Sequence, residues 1–467
     1  MTHPDKPKPE ADDSVPRRTF LASAAAVTAG FTIVPRHVLG GQGVTAPSDK
    51  LNIACIGVGG MGKTNAKNCA EENIVALCDV DFALAGPVFA LYPNAKRYKD
   101  YRVMLEEQND IDAVIVATPD HSHAVIAMAA MERKKHVYVQ KPLTHSVHEA
   151  RLLTETARKQ GVQTQMGNQG HSGEGIRLLC EWVWDGAIGK IREAHAWTNR
   201  PVWPSGVELG RPTETPEVPK DLDWDLWIGP ARMRPYHPTY HPAKWRGWWD
   251  FGTGSLGDMG CHIVDPLFWA LKLRYPIAVE ANISTTWHAF FEKTEPKNEA
   301  FPRSTIVRFK FPARENMPPV GVTWWDGGLM PARPAGLEPG RRMGNQDGGI
   351  LLIGEKGAIM AGCYGESPRL VPESQMKKYK RPRKTLERVR EGTDGHEKDW
   401  IRACKTGKPA SSAFDYSGPL SEMVLMGNLA VRFPDRELLW NGQAMEVTND
   451  ADANAYVKRE YREGWHL

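Results

Sequence analysis

The chain has 467 residues, more than a single hydrophobic core usually holds, so we expect two domains. Its 59 basic and 56 acidic residues leave a formal net charge of +3, which gives no general attraction to nucleic acid. Small molecules are therefore the expected partners. The seven cysteines are odd in number and scattered, and they form neither a metal-binding spacing nor a disulfide framework.

The first 45 residues differ from the rest of the chain. Arg17 and Arg18 precede Phe20 and an apolar, small-residue stretch over residues 22–34, an order typical of an export signal. The paired arginines resemble a twin-arginine signal, so we expect export by that route to the periplasm, after folding and cofactor loading. The apolar stretch is short for a membrane span, and no cleavage point is clear. An uncleaved anchor and a disordered tail with a chance arginine pair are left open.

An apolar strand pattern over residues 53–56 leads into the sequence G-x-G-x-x-G at residues 57–62. Such glycines let a backbone turn tightly, approach a pyrophosphate and start a closely packed helix, whose N-terminal amides face the phosphates. The alternative is a glycine-rich turn that binds no ligand. The predicted cofactor contacts in this turn are Gly57, Gly59, Gly60, Met61 and Gly62.

Asp79 ends the next apolar run, about where an acid that binds the adenosine ribose belongs. Its carboxylate can accept hydrogen bonds from a free 2′-hydroxyl but would repel a 2′-phosphate. Val80 and Asp81 supply no arginine to receive such a phosphate. The sequence therefore favours NAD over NADP.

After Asp79 the chain alternates helical and strand-like runs, which predicts a parallel sheet with crossover helices. We predict helices over residues 101–108, 121–133 and 146–159, and strands over residues 112–117, 136–139 and 163–166. Ligands bind at the carboxyl ends of such strands, so the residues that follow the strands should converge on one crevice. The predicted cofactor contacts there are Thr118, Pro119, Gln140, Lys141 and Asn168, and Gln169 is a predicted substrate contact.

Lys141 is predicted to lie beside the reactive end of the cofactor and to contact the substrate. It follows a strand and precedes Pro142, which keeps the backbone extended. The alternative interpretation is a solvated surface lysine. The strand-terminal position favours the functional interpretation.

From Lys190 onward the pattern changes to that of an antiparallel sheet. The predicted strands cover residues 191–197, 279–286, 304–310, 321–325 and 350–354, and helices over residues 396–404 and 420–432 are expected to pack back on the core. Eight of the sixteen tryptophans lie between Trp197 and Trp269, and an indole suits either a sugar face or a protein core. The predicted substrate contacts in this region are Tyr236, Trp245, Arg246 and Trp249.

Asp258 and His262 are four positions apart, which places them on one face of a predicted helix. Oxidation of an alcohol needs a base for the hydroxyl proton, and histidine titrates near ambient pH. Lys141 can hydrogen-bond to the same oxygen, and Asp258 can orient the substrate or His262. A buried structural histidine is the alternative. No metal is expected, because Pro238 and Pro242 interrupt the nearby histidine pair.

Residues 57–62, 117–123, 140–142 and 257–262 together resemble the Gfo/Idh/MocA family, named for glucose-fructose oxidoreductase and inositol dehydrogenase. The resemblance covers nearly everything after residue 50. It implies an α/β chain with an N-terminal doubly wound Rossmann domain, and a C-terminal α+β domain with a largely antiparallel open sheet. It also implies NAD- or NADP-dependent hydride transfer at a sugar or polyol carbon.

The resemblance assigns the catalytic set to Lys141, Asp258 and His262. It adds His123 to the cofactor contacts, whereas His121 is expected to be a structural surface residue. Gln140 stands where the family usually has glutamate. Glutamine keeps the hydrogen-bonding capacity but loses the charge that would help to hold Lys141 protonated.

The predicted division is a signal and linker at residues 1–45, an NAD-binding domain at 46–188 and a substrate domain at 189–467. The leading functional hypothesis is hydride transfer from a ring carbinol of a sugar or glycoside to NAD. The first alternative is a redox-neutral glycoside hydrolase or lyase that oxidises, eliminates and then returns the hydride, as some relatives in the superfamily do. The second alternative is a non-catalytic nucleotide sensor. We also expect a homo-oligomer, with membrane association only through an uncleaved signal.

Overall fold

The computed structural model describes residues 49–467, and the predicted export signal lies outside the described residues. Residues 51–467 form one unit built around two sheets. Within the described part of the chain, no helix is both long enough and apolar enough to cross a membrane.

The first sheet has six parallel strands in the spatial order β3-β2-β1-β4-β5-β6. This is the strand order of a doubly wound dinucleotide-binding domain, with its switch point between β1 and β4. The strands are β1 (Asn52–Ile56), β2 (Asn73–Cys78), β3 (Lys96–Tyr98), β4 (Ala113–Val116), β5 (His136–Val139) and β6 (Thr164–Met166). The helices between and after them are α1 (Met61–Asn68), α2 (Phe82–Leu91), α3 (Tyr101–Glu107), α4 (His123–Glu132), α5 (Val147–Gln160) and α6 (Glu174–Trp184).

Local signals set the ends of several of these helices. Asp81 caps α2 by accepting a hydrogen bond from the Leu84 amide. Ser146 and Glu149 form a capping box at the start of α5, and Gly161 ends that helix in the left-handed conformation. The predicted helices and strands of this region agree with the structure to within about two residues, although the helix predicted from residue 121 begins with a 3₁₀ turn over Asp120–Ser122.

The second sheet has nine strands in the order β15-β14-β13-β7-β12-β11-β8-β16-β17. All neighbours are antiparallel except β7 and β12, which confirms the predicted largely antiparallel sheet. A separate hairpin, β9–β10, projects from it. The strands are β7 (Ile191–Thr198), β8 (Ala278–Ile283), β9 (Trp287–Ala289), β10 (Glu292–Lys293), β11 (Thr305–Phe311), β12 (Val320–Trp325), β13 (Gly348–Gly354), β14 (Gly357–Gly362), β15 (Arg369–Val371), β16 (Glu437–Asn441) and β17 (Glu446–Val447).

Seven further α-helices lie in the chain after the start of the second sheet. They are α7 (Trp224–Ile228), α8 (Gly254–Ile263), α9 (Asp265–Ala270), α10 (Glu373–Lys378), α11 (His396–Thr406), α12 (Phe414–Arg432) and α13 (Ala451–Asn454). The nearly fully buried α12 packs against α5 on one side and against α8, β8 and β11 on the other, so it joins the two halves of the core.

The late helix α11 returns to the first sheet. Its Trp400 and Ile401 lie in one apolar cluster with Ile53, Leu77 and Ile115 of the parallel strands. The proposed domain division at residues 188 and 189 falls between α6 and β7. Because α11 packs across that division, the packing units do not follow chain order.

Candidate functional site

The carboxyl ends of the parallel strands open into a cavity of about 630 Å³, here called the cleft, which α8 and the segments after β7 and β14 also line. Most of the predicted site residues reach it. Those predicted to hold the cofactor are Gly57, Gly59, Gly60, Met61, Asp79, Thr118, Pro119, Gln140 and Lys141, and those predicted to contact substrate are Lys141, Gln169, Trp245, Arg246, Asp258 and His262.

The glycine turn has the geometry that a pyrophosphate requires. Gly57 has φ +79°, and a Cβ there would lie 2.7 Å from the Ala117 backbone. A Cβ on Gly62 would lie 2.0 Å from the Gly57 carbonyl oxygen, so only glycine allows α1 to pack this closely against the turn. Gly62 itself does not line the cleft. Gly60 has open space around it. The residues present therefore fit a dinucleotide at the N-terminus of α1.

Asp79 both lines the cleft and orders the glycine turn. Its carboxylate accepts backbone hydrogen bonds from Val58 at 2.7 Å, Gly59 at 3.1 Å and Asp81 at 3.0 Å. Burial raises the pKa of Asp79, while these three amides act in the opposite direction. A buried carboxylate at this position fits a ribose diol and opposes a 2′-phosphate.

At the other end of the cleft, Lys141 is bound to α8. Its Nζ donates to the Asp258 carbonyl at 2.7 Å and to the Asp258 carboxylate at 2.8 Å. The Arg246 guanidinium lies 3.3 Å from the same carboxylate oxygen. Burial alone would raise the pKa of Asp258, but Lys141 and Arg246 outweigh burial and hold it at about 2. Asp258 is therefore ionised and fixes the position of Lys141.

His262 lies on α8 one turn after Asp258, as predicted, and is buried. Its ring meets the Tyr364 ring edge-on, with centroids 4.7 Å apart. Burial lowers the pKa of His262 well below its usual range, and Lys141 lowers it further while Asp258 opposes the shift. The expectation of a histidine that titrates near ambient pH is therefore wrong for this environment, because the imidazole is held neutral.

Asp120 is a cleft residue that the sequence reasoning missed. It begins the 3₁₀ turn after Pro119 and is 4% exposed. Thr253, at the start of α8, donates its hydroxyl to Asp120 Oδ2 at 2.5 Å. Burial raises the pKa of Asp120 to about 7, against the effects of Thr253, Arg246 and Lys141. Its position in the segment that follows β4, next to the predicted contacts Thr118 and Pro119, was the signal that could have identified it.

Two predicted cofactor contacts stand behind the cleft wall. His123 is buried, with Nδ1 2.8 Å from the Pro142 carbonyl and Nε2 2.8 Å from the Thr118 carbonyl, so it ties together the ends of β4 and β5. Asn168 donates to Asp265 at 3.1 Å and accepts from Ser412 at 2.7 Å. Neither side chain lines the cleft, because each is used to join neighbouring segments.

Two predicted substrate contacts are partly buried and pack against the core. Tyr236 packs edge-on against Trp224, with centroids 5.3 Å apart. Trp249 stacks on Phe301 at 3.6 Å and donates its indole N–H to the Ala300 carbonyl. Neither lines the cleft, so these two aromatic residues support neighbouring core clusters and do not face the substrate.

His121 is not a surface residue. It is fully buried, with Nε2 2.9 Å from the Trp227 carbonyl and Nδ1 3.2 Å from the Phe251 carbonyl. It therefore anchors the 3₁₀ turn that carries Asp120 to the segment before α8.

Three further cleft residues come from distant segments. Arg200 follows β7, and His241 places Nε2 2.8 Å from the Asp81 carboxylate. Tyr364 follows β14 with φ +65°, and its approach requires a glycine at 170, where a Cβ would lie 2.7 Å from Tyr364 Cβ. Across residues 49–467, no group of three or more histidine, cysteine, aspartate or glutamate side chains could hold a metal ion.

Gln140 is connected to a carboxylate through one intermediate residue. Its amide donates to Asn65 Oδ1 at 2.9 Å, and Asn65 in turn donates to Glu397 Oε1 at 2.6 Å. Glu397 lies on α11 and is 2% exposed. A carboxyl group is therefore linked to this strand end although residue 140 itself is an amide.

Comparison with known families agrees with this architecture. Residues 51–168 match the family model described as an oxidoreductase family with an NAD-binding Rossmann fold, and residues 191–289 match that of its C-terminal alpha/beta domain. Both matched domains are those of the Gfo/Idh/MocA family. The first domain of the chain is accordingly an NAD-binding Rossmann domain, and its cofactor is NAD.

Curated relatives match part of the chain. A glycosyl hydrolase family 109 protein of Shewanella putrefaciens is 30% identical over 210 residues, and an alpha-N-acetylgalactosaminidase of Shewanella oneidensis is 28% identical over 210 residues. Each match covers 39% of this chain and 46% of the relative. The chain thus spans less than half the length of these relatives.

Solved structures share the fold across most of the chain. Levoglucosan dehydrogenase in complex with NADH and levoglucosan is 18% identical, with a TM-score of 0.56 over 84% of this chain and 99% of that one. The WlbA dehydrogenase of Bordetella pertussis, in complex with NADH and UDP-GlcNAcA, gives the same identity, coverage and TM-score. At this identity the likeness shows the fold alone.

Proposed function

We propose that this protein is an NAD-dependent oxidoreductase that acts on a ring carbinol of a sugar or glycoside. The observation that carries the proposal is the Lys141–Asp258 pair, in which the ammonium is held at 2.8 Å from the carboxylate inside the cleft that the glycine turn also lines. When bound, NAD supplies the acceptor for the hydride of the carbinol carbon. The two solved dehydrogenases with NADH and a sugar compound support this choice of substrate class.

The side chains of the cleft would stabilise the carbinol oxygen, accept its proton and position the ring. Lys141 can donate a hydrogen bond to the carbinol oxygen and stabilise the negative charge that develops on it. Neutral His262 can accept the hydroxyl proton, and the Lys141 ammonium lies near enough to affect its pKa. Asp258 fixes Lys141 and Arg246, while Trp245 offers an indole surface to the ring.

The second candidate is redox-neutral cleavage of a glycoside, by transient oxidation followed by elimination. The partial matches to glycosyl hydrolase family 109 proteins and to an alpha-N-acetylgalactosaminidase favour it. This route needs the same carbinol oxidation plus one more proton transfer, so both candidates use Lys141 and His262.

One experiment separates the two candidates. The protein is purified from cells, its nucleotide is identified by mass spectrometry, and a panel of nitrophenyl and methyl glycosides is added. Reduced nicotinamide is followed by absorbance, and aglycone release by chromatography. Reduced nicotinamide without release supports the dehydrogenase, and release without net reduction supports redox-neutral cleavage. Bound nucleotide with neither signal across the panel would contradict both.

We also infer export by the twin-arginine route, from Arg17, Arg18 and the apolar stretch at residues 22–34. The test fuses residues 1–45 to a reporter that is active only after export in the folded state. Export should be lost when both arginines are replaced by lysine. Equal export by the double variant would contradict the inference.

A further inference from the structure

The substrate end of the cleft contains two buried carboxyl groups with different surroundings. The Asp258 carboxylate contacts both Lys141 and Arg246. Among the described residues, the only hydrogen-bond donor that contacts the Asp120 carboxyl is the Thr253 hydroxyl, which uses Oδ2. Asp120 Oδ1 is thus left for a molecule that enters the cleft.

The charges around the two groups explain their different acidities. The charges of Lys141 and Arg246 also lower the pKa of Asp120, but neither group forms a hydrogen bond with its carboxyl. The charge of Asp258 raises that pKa. Burial therefore dominates at Asp120 and sets its pKa at about 7, whereas the pKa of Asp258 is about 2. Two carboxyls whose environments separate their pKa values in this way are suited to different roles, one as a fixed charge and one in proton transfer.

His262 does not fill the second role. Its imidazole is already assigned to the hydroxyl proton, and burial together with Lys141 weakens it as a base. Of Asp120, Asp258 and His262, Asp120 is the one whose pKa lies near neutral pH. A proton-transfer group is most effective when its pKa lies near the working pH.

We propose that Asp120 is a second catalytic residue, which accepts the proton from the ring carbon next to the oxidised carbinol. This inference rests on the proposed function, because the carbonyl formed by carbinol oxidation is what makes that C–H bond acidic. It assigns to this chain the additional proton transfer that redox-neutral cleavage needs.

The proposed step balances without any further oxidant. The C–H bond breaks, its proton goes to the Asp120 carboxylate, and its electron pair forms a carbon–carbon double bond to the carbonyl carbon. The carbonyl π electrons move to oxygen, where Lys141 donates a hydrogen bond. The enolate then either takes the proton back or expels a substituent from the next ring carbon together with its bonding electrons.

The test uses ketones, so that proton transfer is measured without turnover of the cofactor. The 2-keto, 3-keto and 4-keto derivatives of methyl α-D-glucopyranoside are each incubated with the nucleotide-loaded protein in D₂O. Deuterium entry at the carbons beside the carbonyl is followed by NMR. We expect the protein to accelerate exchange on at least one ketone, and Asp120→Asn to slow it about 10²-fold or more.

The pH profile distinguishes a proton-transfer role from a structural one. Exchange by the unmodified protein should rise with pH and level off above about 7, as Asp120 loses its proton. Because the Thr253 hydrogen bond lowers the pKa of Asp120, Thr253→Val should move this midpoint to higher pH. Asp120→Asn can still accept the Thr253 hydroxyl, so its folding should be retained.

Asp326→Asn is the matched control. Asp326 is 3% exposed, burial raises its pKa to about 7, and it accepts a hydrogen bond from the Thr305 hydroxyl, but it does not line the cleft. Its replacement should leave exchange and the pH midpoint unchanged, whatever it does to stability.

Three results would count against the proposal. Exchange by Asp120→Asn within a few-fold of the unmodified protein would overturn it. Carbinol oxidation without exchange on any of the three ketones would overturn it while leaving the proposed function intact. Bound nucleotide with neither oxidation nor exchange would reject the proposed function, and the role of Asp120 with it.

Discussion

The two ends of the cleft are built in different ways. At the cofactor end, the glycine turn of residues 57–62 and Asp79 follow adjacent parallel strands, and backbone amides of the turn donate to the Asp79 carboxylate. At the substrate end, distant segments meet through side chains, since Lys141 contacts Asp258 and Tyr364 packs against His262. The first end depends on backbone geometry, and the second on a balance of charge and burial.

This difference decides what a substitution should do. A change at the cofactor end alters backbone packing or the amides that hold Asp79, so it should affect nucleotide binding or stability. A change at the substrate end alters charges in a buried environment, where small displacements change acidity, so it should affect the rate. Substitutions at the two ends should therefore differ in whether binding and stability or the rate is affected.

The largest effect is expected at Lys141. Lys141→Ala removes the hydrogen bond to the carbinol oxygen and should lower kcat by about 10²- to 10⁴-fold. Bound nucleotide, quantified after denaturation, should be retained. Lys378→Ala on the exposed helix α10 is the control and should leave both unchanged. Turnover by Lys141→Ala within a few-fold of the unmodified protein would refute the assigned role.

The next effect is expected at Asp79. Asp79→Ala removes the acceptor for the Val58 and Gly59 amides as well as the predicted ribose contact. The Kd for NAD, measured by calorimetry on nucleotide-free protein, should rise about 10- to 100-fold. Asp110→Ala, at an exposed position, is the control. An unchanged Kd would mean that Asp79 does not support the nucleotide.

A pair of glycine substitutions tests the backbone argument. In Gly62→Ala the new Cβ would clash with the Gly57 carbonyl, so the free energy of unfolding should fall by about 1–3 kcal/mol. Gly60→Ala meets open space and should change stability by less than about 0.5 kcal/mol. Chemical denaturation of both variants gives the comparison, and equal losses would contradict the described packing.

The smallest effects should separate two tryptophans that the sequence could not distinguish. Trp245 lines the cleft, so Trp245→Phe should raise KM several-fold. Trp249 stacks on Phe301, and Trp249→Phe leaves the Ala300 carbonyl without its donor, which should cost about 1 kcal/mol of stability at unchanged KM. A raised KM for Trp249→Phe and an unchanged KM for Trp245→Phe would mean that the substrate does not contact Trp245.

The sequence predicted most of the cofactor end, because strand periodicity and glycine spacing are local properties. The position of Lys141 at a strand end and the spacing of Asp258 and His262 could also be recognised from the sequence. The contribution of Tyr364 could not be predicted, since its place in the cleft depends on the contact between a loop of the second sheet and Gly170. Aromatic composition could not separate Trp245, which lines the cleft, from Trp249, which does not. The pKa of His262 was misjudged because burial is not visible in a motif.

The most direct test of the proposed function follows the transferred hydrogen itself. The nucleotide-loaded protein is incubated with ring-deuterated glycosides, and the nucleotide is then released and its nicotinamide analysed by mass spectrometry. We predict a single deuterium on the nicotinamide ring for the unmodified protein and none for Lys141→Ala. Nucleotide that stays bound but gains no deuterium from any glycoside of the panel would contradict hydride transfer from a ring carbinol.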